Sequence, residues 1–361
     1  MGSAALIWFM ALNSTGFERY SRQILFAPLG EAGQAKLARA QVAIVGCGAL
    51  GTAQADLLAR AGVGDLRLID RDYVEASNLQ RQTLYEEADA EAASPKAAAA
   101  ARLRRINSGI AVEGLVADLT PANVRELLSG RDLLLDGTDN LETRYLINDY
   151  AVEQGLPWIY GAAVASRALT FTIRPGRTAC LECLFPGLEA GGLEAPPEPV
   201  MATCDTAGVL SWVVSWVAAL QVAEAIKLLT GAEAALRGSL LSADLWTNEF
   251  RELQRPLRDP DCRACGRRDF IHLRGEQRAV VTLCGRNAVQ IHEHRRPLAL
   301  AELAERLRPQ GEVRGNALAV RFLPAAPAGL EMTIFADGRA LIKGTTDPGV
   351  ARSLYARYVG S

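Results

Sequence analysis

Three glycines spaced as Gly46-x-Gly48-x-x-Gly51 follow a short apolar run and open a helical stretch. Glycines at such a turn let backbone N–H groups approach a phosphate at the positive end of the helix. A second short strand, 66–70, ends in Asp70, where a carboxylate would bind ribose hydroxyls. Strand, glycines and acid together point to a nucleotide, without separating NAD from ATP. The residues that separate them come next: Asp72, then Asn78 and Arg81 in S-N-L-Q-R-Q, Lys96 in S-P-K, and Asp139 in T-D-N, with Arg22 upstream in Y-S-R-Q. Two arginines, a lysine and a further aspartate around a nucleotide suit a triphosphate with Mg²⁺. Phosphoryl oxygens need fixed cations, and Mg²⁺ needs a carboxylate together with phosphate oxygens. Taken singly, each of these residues reads as a solvated surface charge; only the set carries meaning.

Cys180-x-x-Cys183 and Cys262-x-x-Cys265 form a second constellation. Four thiolates suit a tetrahedral, structural Zn²⁺. Three other cysteines stand apart. Cys47 lies inside the glycine turn and reads as small filler, and Cys284 reads as structural. Cys204 follows a stretch rich in Gly, Pro and Glu (187–203) and precedes a predicted helix.

The elements that must position these residues alternate. Strands are predicted at 41–45, 66–70, 110–116, 133–136 and 158–162, separated by helices ending near 61, 106, 128 and 154. The helix ending at 106 is expected to start on Ser94-Pro95 as N-cap and first turn. The order predicts an α/β domain with a doubly wound, Rossmann-like, mostly parallel sheet. Further strands are predicted at 169–173, 239–243 and 248–253, around a buried helix at 206–229. Beyond 270 the composition shifts to a small α+β module. It has strands near 280–283, 288–291 and 318–322, helices at 300–307 and 348–358, and a hairpin at 332–342 turning on Asp337-Gly338. The expected division is 1–16 an N-terminal extension, 17–270 the nucleotide-binding domain with the Cys₄ site, and 271–361 the module, whose role the sequence leaves open.

Composition excludes several classes. Lys plus Arg number 39 and Asp plus Glu 41, a net charge of -2, which argues against a dedicated nucleic-acid binder. The three histidines are His272, His292 and His294, so chemistry in the first 271 residues runs without Ser-His or Cys-His pairs. The apolar run at 207–220 falls short of the roughly 18 residues a membrane span needs and is expected to be a buried helix. The opening residues lack a positively charged n-region and make a poor signal peptide. With seven cysteines, a reducing cytoplasm is the expected setting.

R-Y-S-R-Q-I, the glycine turn with its following A-G-V-G, D-x-D-x-V-x-x-S-N-L-x-R-Q, P-K and D-x-T-D-N occur in one order and spacing. Over residues 17–268 the chain thereby resembles the ThiF/MoeB/HesA family, bacterial relatives of ubiquitin-activating enzymes. The resemblance implies ATP-dependent adenylation of the C-terminal Gly-Gly carboxylate of a ubiquitin-like sulfur carrier of the ThiS or MoaD type. Pyrophosphate would be released, in thiamine or molybdopterin biosynthesis. It further implies that Gly46, Gly48 and Gly51 line the nucleotide, Asp70 holds the ribose, Asn78, Arg81 and Lys96 contact phosphates, and Asp139 holds Mg²⁺. Arg22 would reach the partner subunit's ATP across a homodimer, the four knuckle cysteines would hold Zn²⁺, and Cys204 would take part in sulfur transfer. A sulfur donor such as a cysteine desulfurase is an implied partner. Two other readings stand beside this one. An NAD-dependent oxidoreductase leaves Arg22, Arg81, Lys96, Asp139 and the Cys₄ set without a role. A non-catalytic dimer partner conflicts with the full set of matched ATP residues.

Overall fold

The computed structural model describes residues 18–360, apart from 93, 187–206, 255–256, 276–281, 284–287, 293–297, 316–318, 327–328 and 337. The predicted extension at 1–16, the stretch 187–203, Cys204, Cys284 and His294 lie outside the described residues.

Two short helices, α1 (Ser21–Ile24) and α2 (Gly30–Leu37), precede the first strand. Then follow β1 (Gln41–Val45), α3 (Ala49–Ala61), β2 (Asp65–Asp70), α4 (Ala99–Ile106), β3 (Ala111–Val116), α5 (Val124–Leu128), β4 (Leu133–Asp136), α6 (Leu141–Gln154) and β5 (Trp158–Val164). These five strands are parallel, in the order β3-β2-β1-β4-β5. The central strands β1 and β4 are nearly continuous apolar runs, because both faces of a parallel sheet are covered by crossover helices. The sheet then turns antiparallel through β6 (Arg167–Ile173), β7 (Leu240–Asp244) and β8 (Glu249–Leu253).

The predicted helix at 206–229 is α7 (Ser211–Thr230). At 20 residues it is longer than its apolar stretch suggests, and by length and composition alone it could cross a membrane. Its packing makes it a core helix: it lies against α3, β5 and β6. It also buries Gln221 and Glu224, both hydrogen-bonded, alongside Val213, Val214 and Val217.

Ser94-Pro95 does not cap a helix as expected. Pro95 pairs with Tyr73 in an isolated bridge, and one 3-10 turn, Lys96–Ala98, precedes α4. The Pro95 ring, which cannot donate, is accommodated in extended backbone there.

The second sheet is antiparallel throughout, ordered β11-β12-β13-β14-β10-β9. Its strands are β9 (Thr282–Leu283), β10 (Ala288–His292), β11 (Gly311–Gly315), β12 (Ala319–Pro324), β13 (Glu331–Phe335) and β14 (Arg339–Lys343). The sequence reading missed β11, whose Gly-Glu-Val-Arg-Gly carries one apolar residue and is largely exposed. Two helices, α8 (Leu300–Leu307) and α9 (Pro348–Tyr358), complete the module. Its core is an apolar layer of Val320, Phe322, Met332, Ile334 and Ile342 against Leu303, Leu307, Leu354 and Tyr355.

Candidate active site

The glycine turn joins β1 to α3 at the C-terminal edge of the parallel strands, where open α/β sheets bind ligands. Two of its three glycines are required by packing. A side chain on Gly51 would place its Cβ 1.8 Å from the Gly46 carbonyl oxygen. Gly46 has φ +89°, and its Cβ would stand 2.6 Å from the Gly137 carbonyl oxygen. Gly48 is different, because the nearest atom to its ideal Cβ is Gln82 Nε2 at 3.9 Å. Its missing side chain therefore leaves room that the protein itself does not fill, at the N-cap of α3. Such a cradle fits an anion.

Asp70 closes β2 beneath this turn. It is buried and accepts hydrogen bonds from the Cys47 N–H at 2.5 Å and the Asp72 N–H at 2.7 Å. Burial pushes its carboxyl above the ordinary value, a shift opposed by the nearby Lys96 ammonium. Lys96 is itself buried, with Nζ 3.4 Å from Asp72 Oδ2. The Tyr85 hydroxyl lies 2.8 Å from both the Cys47 and Lys96 carbonyl oxygens, so it joins the glycine turn to the lysine segment. Asn78 is buried and accepts from the Glu75 N–H at 3.0 Å, closing a capping box with Glu75. Arg81 is half-buried and donates to the Ser77 carbonyl at 2.8 Å.

Asp139 is exposed on the loop after β4. It belongs to the same cluster: although burial lowers the basicity of Arg71, its guanidinium is held above its ordinary value by Asp118, Asp72, Asp139 and Asp70. The structure thus brings together the glycines, Asp70, Asp72, Lys96 and Asp139, and the capping box ties Asn78 to the loop that follows Asp70. An excess of carboxylates over fixed cations beside a phosphate cradle is chemistry that a divalent metal would complete.

Arg22 lies elsewhere. It is exposed on α1, and no hydrogen bond or ion pair holds it among the described residues. Gln23 Nε2 donates to the Ala61 carbonyl at 3.0 Å, and Tyr20 packs so closely on Gly62 that a Cβ there would fall 2.5 Å from its ring. Both contacts are at the C-terminal end of α3, whereas the glycine turn is at its N-terminal end. Thirteen residues of helix separate them by about 20 Å, longer than any side chain.

Several residues of the site received no role from the sequence, although Gln82 closes the S-N-L-x-R-Q motif and Asp136 opens D-x-T-D-N. Gln82 is buried, faces Gly48, and its Oε1 has no partner among the described residues. Asp136, fully buried, accepts from Arg144 Nε at 2.9 Å and from the Thr138 hydroxyl at 2.6 Å. Arg144 also donates to the Thr138 and Gly161 carbonyls at 2.6 and 2.9 Å. The Asp136 carbonyl takes Gln54 and Gln221 amides at 2.9 and 3.0 Å. This polar network fixes the loop from which Asp139 projects. Asn140 then caps α6, accepting from the Thr143 N–H at 2.8 Å.

The four knuckle sulfurs converge. Cys180 lies 3.7 Å from Cys183 and 3.6 Å from Cys262, and Cys183 lies 3.4 Å from Cys265. All four sulfurs lie within 4.8 Å of one another. These separations exceed a disulfide bond of about 2.05 Å. They approach the roughly 3.8 Å edge of a tetrahedron with Zn–S bonds of about 2.3 Å. The cluster fits zinc. Glu182 and Arg263, one from each knuckle, pair at 2.7 Å, and Leu181 N–H donates to Asn148 on α6 at 2.8 Å.

Comparisons with known proteins agree with this geometry. The ThiF family profile matches residues 20–264. The sulfur carrier protein ThiS adenylyltransferase of Bacillus subtilis (strain 168) is 48% identical over 347 residues, covering 95% of this chain and 99% of that protein. The SAMP-activating enzyme E1 of Haloferax volcanii is 38% identical, with 71% of this chain and 92% of that one covered. The adenylyltransferase and sulfurtransferase MOCS3 of Sus scrofa is 40% identical over 72% of this chain, which spans 56% of that protein. Among solved structures, Escherichia coli MccB with ATP superposes with a TM-score of 0.57 at 25% identity, covering 69% of this chain and 75% of MccB. With a family match across most of its length and a carrier adenylyltransferase relative spanning nearly all of it, this chain belongs to the ThiF family.

Proposed function

We infer that the chain is an ATP-dependent adenylyltransferase acting on the C-terminal Gly-Gly carboxylate of a ubiquitin-like sulfur carrier, in thiamine or molybdopterin biosynthesis. The observation that carries this reading is the cradle at Gly48 with Lys96, Asp70 and Asp139 gathered around it, in a chain 48% identical to a ThiS adenylyltransferase. A carrier carboxylate oxygen attacks the α-phosphorus of ATP, the bond to the β-phosphate oxygen breaks, and pyrophosphate leaves. The attacking group is already an anion, so no general base is needed, in keeping with the absence of histidine from the first 271 residues. Catalysis then rests on in-line positioning and neutralised charge.

In this reading the glycine turn receives the phosphates, Asp70 the ribose, and Lys96, Asn78 and Arg81 the phosphoryl oxygens. Asp139 and Asp72 would hold Mg²⁺, which supplies charge neutralisation when bound. Gln82, unpaired beside Gly48, is a further donor or acceptor for the nucleotide. The Cys₄ cluster holds structural Zn²⁺, and its unbridged thiols suit the cytoplasm. The adenylated carrier would then receive sulfur from a donor such as a cysteine desulfurase. Intact-mass analysis of a Gly-Gly-ended carrier incubated with enzyme and Mg-ATP tests the reading. One added AMP is expected, and a carrier lacking its last glycine should stay unmodified.

Arg22 acts in a homodimer, on the nucleotide of the partner subunit. The position of Arg22 at the far end of α3 supports this, since it cannot reach its own glycine turn. Mixing Arg22→Ala subunits with Asp139→Ala subunits should restore activity to one of the two sites in the heterodimer. No recovery from a verified heterodimer would place Arg22 outside catalysis.

A further inference from the structure

The module's antiparallel sheet has two faces, because side chains alternate along each strand. One face, with Val320, Phe322, Met332, Ile334, Ala340 and Ile342, packs under α8 and α9. The opposite face of the same strands meets the loop that follows β2. Ala288, Ala319, Phe335 and Leu341 form an apolar contact with Tyr73 and Val116. Around that contact the face is polar, and its partners are residues of the nucleotide loop. Arg339 NH2 donates to the Arg71 carbonyl at 3.1 Å, the Tyr73 hydroxyl bonds Glu331 Oε1 at 2.9 Å, and Lys343 pairs with Glu75. Arg321 in turn holds Glu331 at 2.6 Å.

The residues grasped here are the loop's own fixed points. Arg71 lies between Asp70 and Asp72, and its guanidinium bonds Asp118 at 3.1 Å. Tyr73 pairs with Pro95, which adjoins Lys96. Glu75 closes the capping box with Asn78. Arg339 is 1% exposed and lies over the Phe335 ring, 4.2 Å from its centroid. A buried guanidinium aimed at a main-chain carbonyl nearly 270 positions away fixes that carbonyl's place strongly, since loss of the donor would leave the acceptor unsatisfied.

We propose that the C-terminal module is a brace for the nucleotide loop, with Arg339 as its chief positioning residue and Lys343 as a second. By holding the backbone between Asp70 and Glu75, it sets where the ribose carboxylate and the Asp72–Lys96 pair stand before ATP arrives. The proposal rests on the nucleotide reading of the segment from Gly46 to Lys96 and gives the module a role in that site.

The test is Mg-ATP affinity of the full-length protein by isothermal titration. Kinetics with saturating carrier and with saturating ATP run beside it. Arg339→Met should weaken Mg-ATP binding about tenfold, as expected for a half-buried acceptor that loses its donor, and Arg339→Lys, which keeps one donor, should stay within about threefold of wild type. At saturating ATP, kcat and the KM for carrier should be unchanged. Should Arg339→Met fail to fold, Lys343→Met decides. That pair is half-exposed, and its loss should weaken Mg-ATP binding about threefold with the fold intact. Unchanged ATP affinity in a folded Arg339→Met protein, or in Lys343→Met where the first does not fold, would overturn the brace. So would a fall in kcat at saturating ATP with affinity unaltered. Because the readout is nucleotide affinity, a failure of the carrier-adenylation reading leaves these outcomes interpretable.

Discussion

Asp139→Ala should lower the exchange of labelled pyrophosphate into ATP by on the order of 10³, with the fold unchanged. The side chain is exposed on a loop whose conformation is set by others. Asp136 and Arg144 hold the main chain just before it, at Thr138, and Asn140 caps the helix that follows. In the proposed site, removing the Asp139 carboxylate would take away a metal ligand without loosening its support. Stability should stay within about 0.5 kcal/mol of wild type, as for other exposed positions. ATP affinity should fall far less than the rate, because the glycine cradle and Lys96 remain. Urea denaturation and exchange kinetics on one preparation check both halves. Full exchange activity would remove Asp139 from metal binding.

The second large effect concerns zinc. Metal analysis should find about one Zn²⁺ per chain, as a single Cys₄ tetrahedron requires. Chelation, or Cys262→Ser, should lower stability by several kcal/mol, because structural zinc binding is coupled to folding and carries about 10 kcal/mol or more in small domains. The knuckles tie Leu181 to Asn148 and Glu182 to Arg263, so metal loss should free the region around the middle of α6. The glycine turn packs instead on Gly137 and Asp70. Nucleotide affinity in the protein that remains folded should accordingly be little changed. A metal-free protein of full stability would refute the assignment.

What could be read in advance follows the range of the forces involved. The glycine turn was legible because its spacing is a local motif: Gly46 takes φ +89°, and a Cβ on Gly51 would stand 1.8 Å from the Gly46 carbonyl oxygen five residues earlier. The knuckles were legible because thiolate spacing within each pair is short even though the pairs are far apart. The structural role of Asp136, the first residue of D-x-T-D-N, was not, since its buried partner Arg144 stands eight residues on, within a helix that has no marked apolar face. Such a pair is kept because the carboxylate and guanidinium meet each other and the Thr138 and Gly161 carbonyls, an arrangement visible only in three dimensions.

Ser94-Pro95 was misread for a related reason. The pattern of a helix start is present, but tertiary pairing of Pro95 with Tyr73 overrides it. The role of the module was the least legible of all. Arg339, Leu341 and Lys343 alternate with apolar residues as in any half-buried strand. Nothing local distinguishes a face turned to water from one laid on a loop 268 residues earlier.

The central claim is that this site joins the α-phosphate of ATP to a carrier carboxylate. Exchange of labelled pyrophosphate into ATP measures that step directly, before any sulfur chemistry. With Mg-ATP and a carrier ending in Gly-Gly, label should enter ATP in proportion to carrier added. It should fail to enter with the carrier omitted or shortened by its last glycine. Exchange that proceeds equally without carrier, or none at all with a folded enzyme and an intact carrier, would contradict the account.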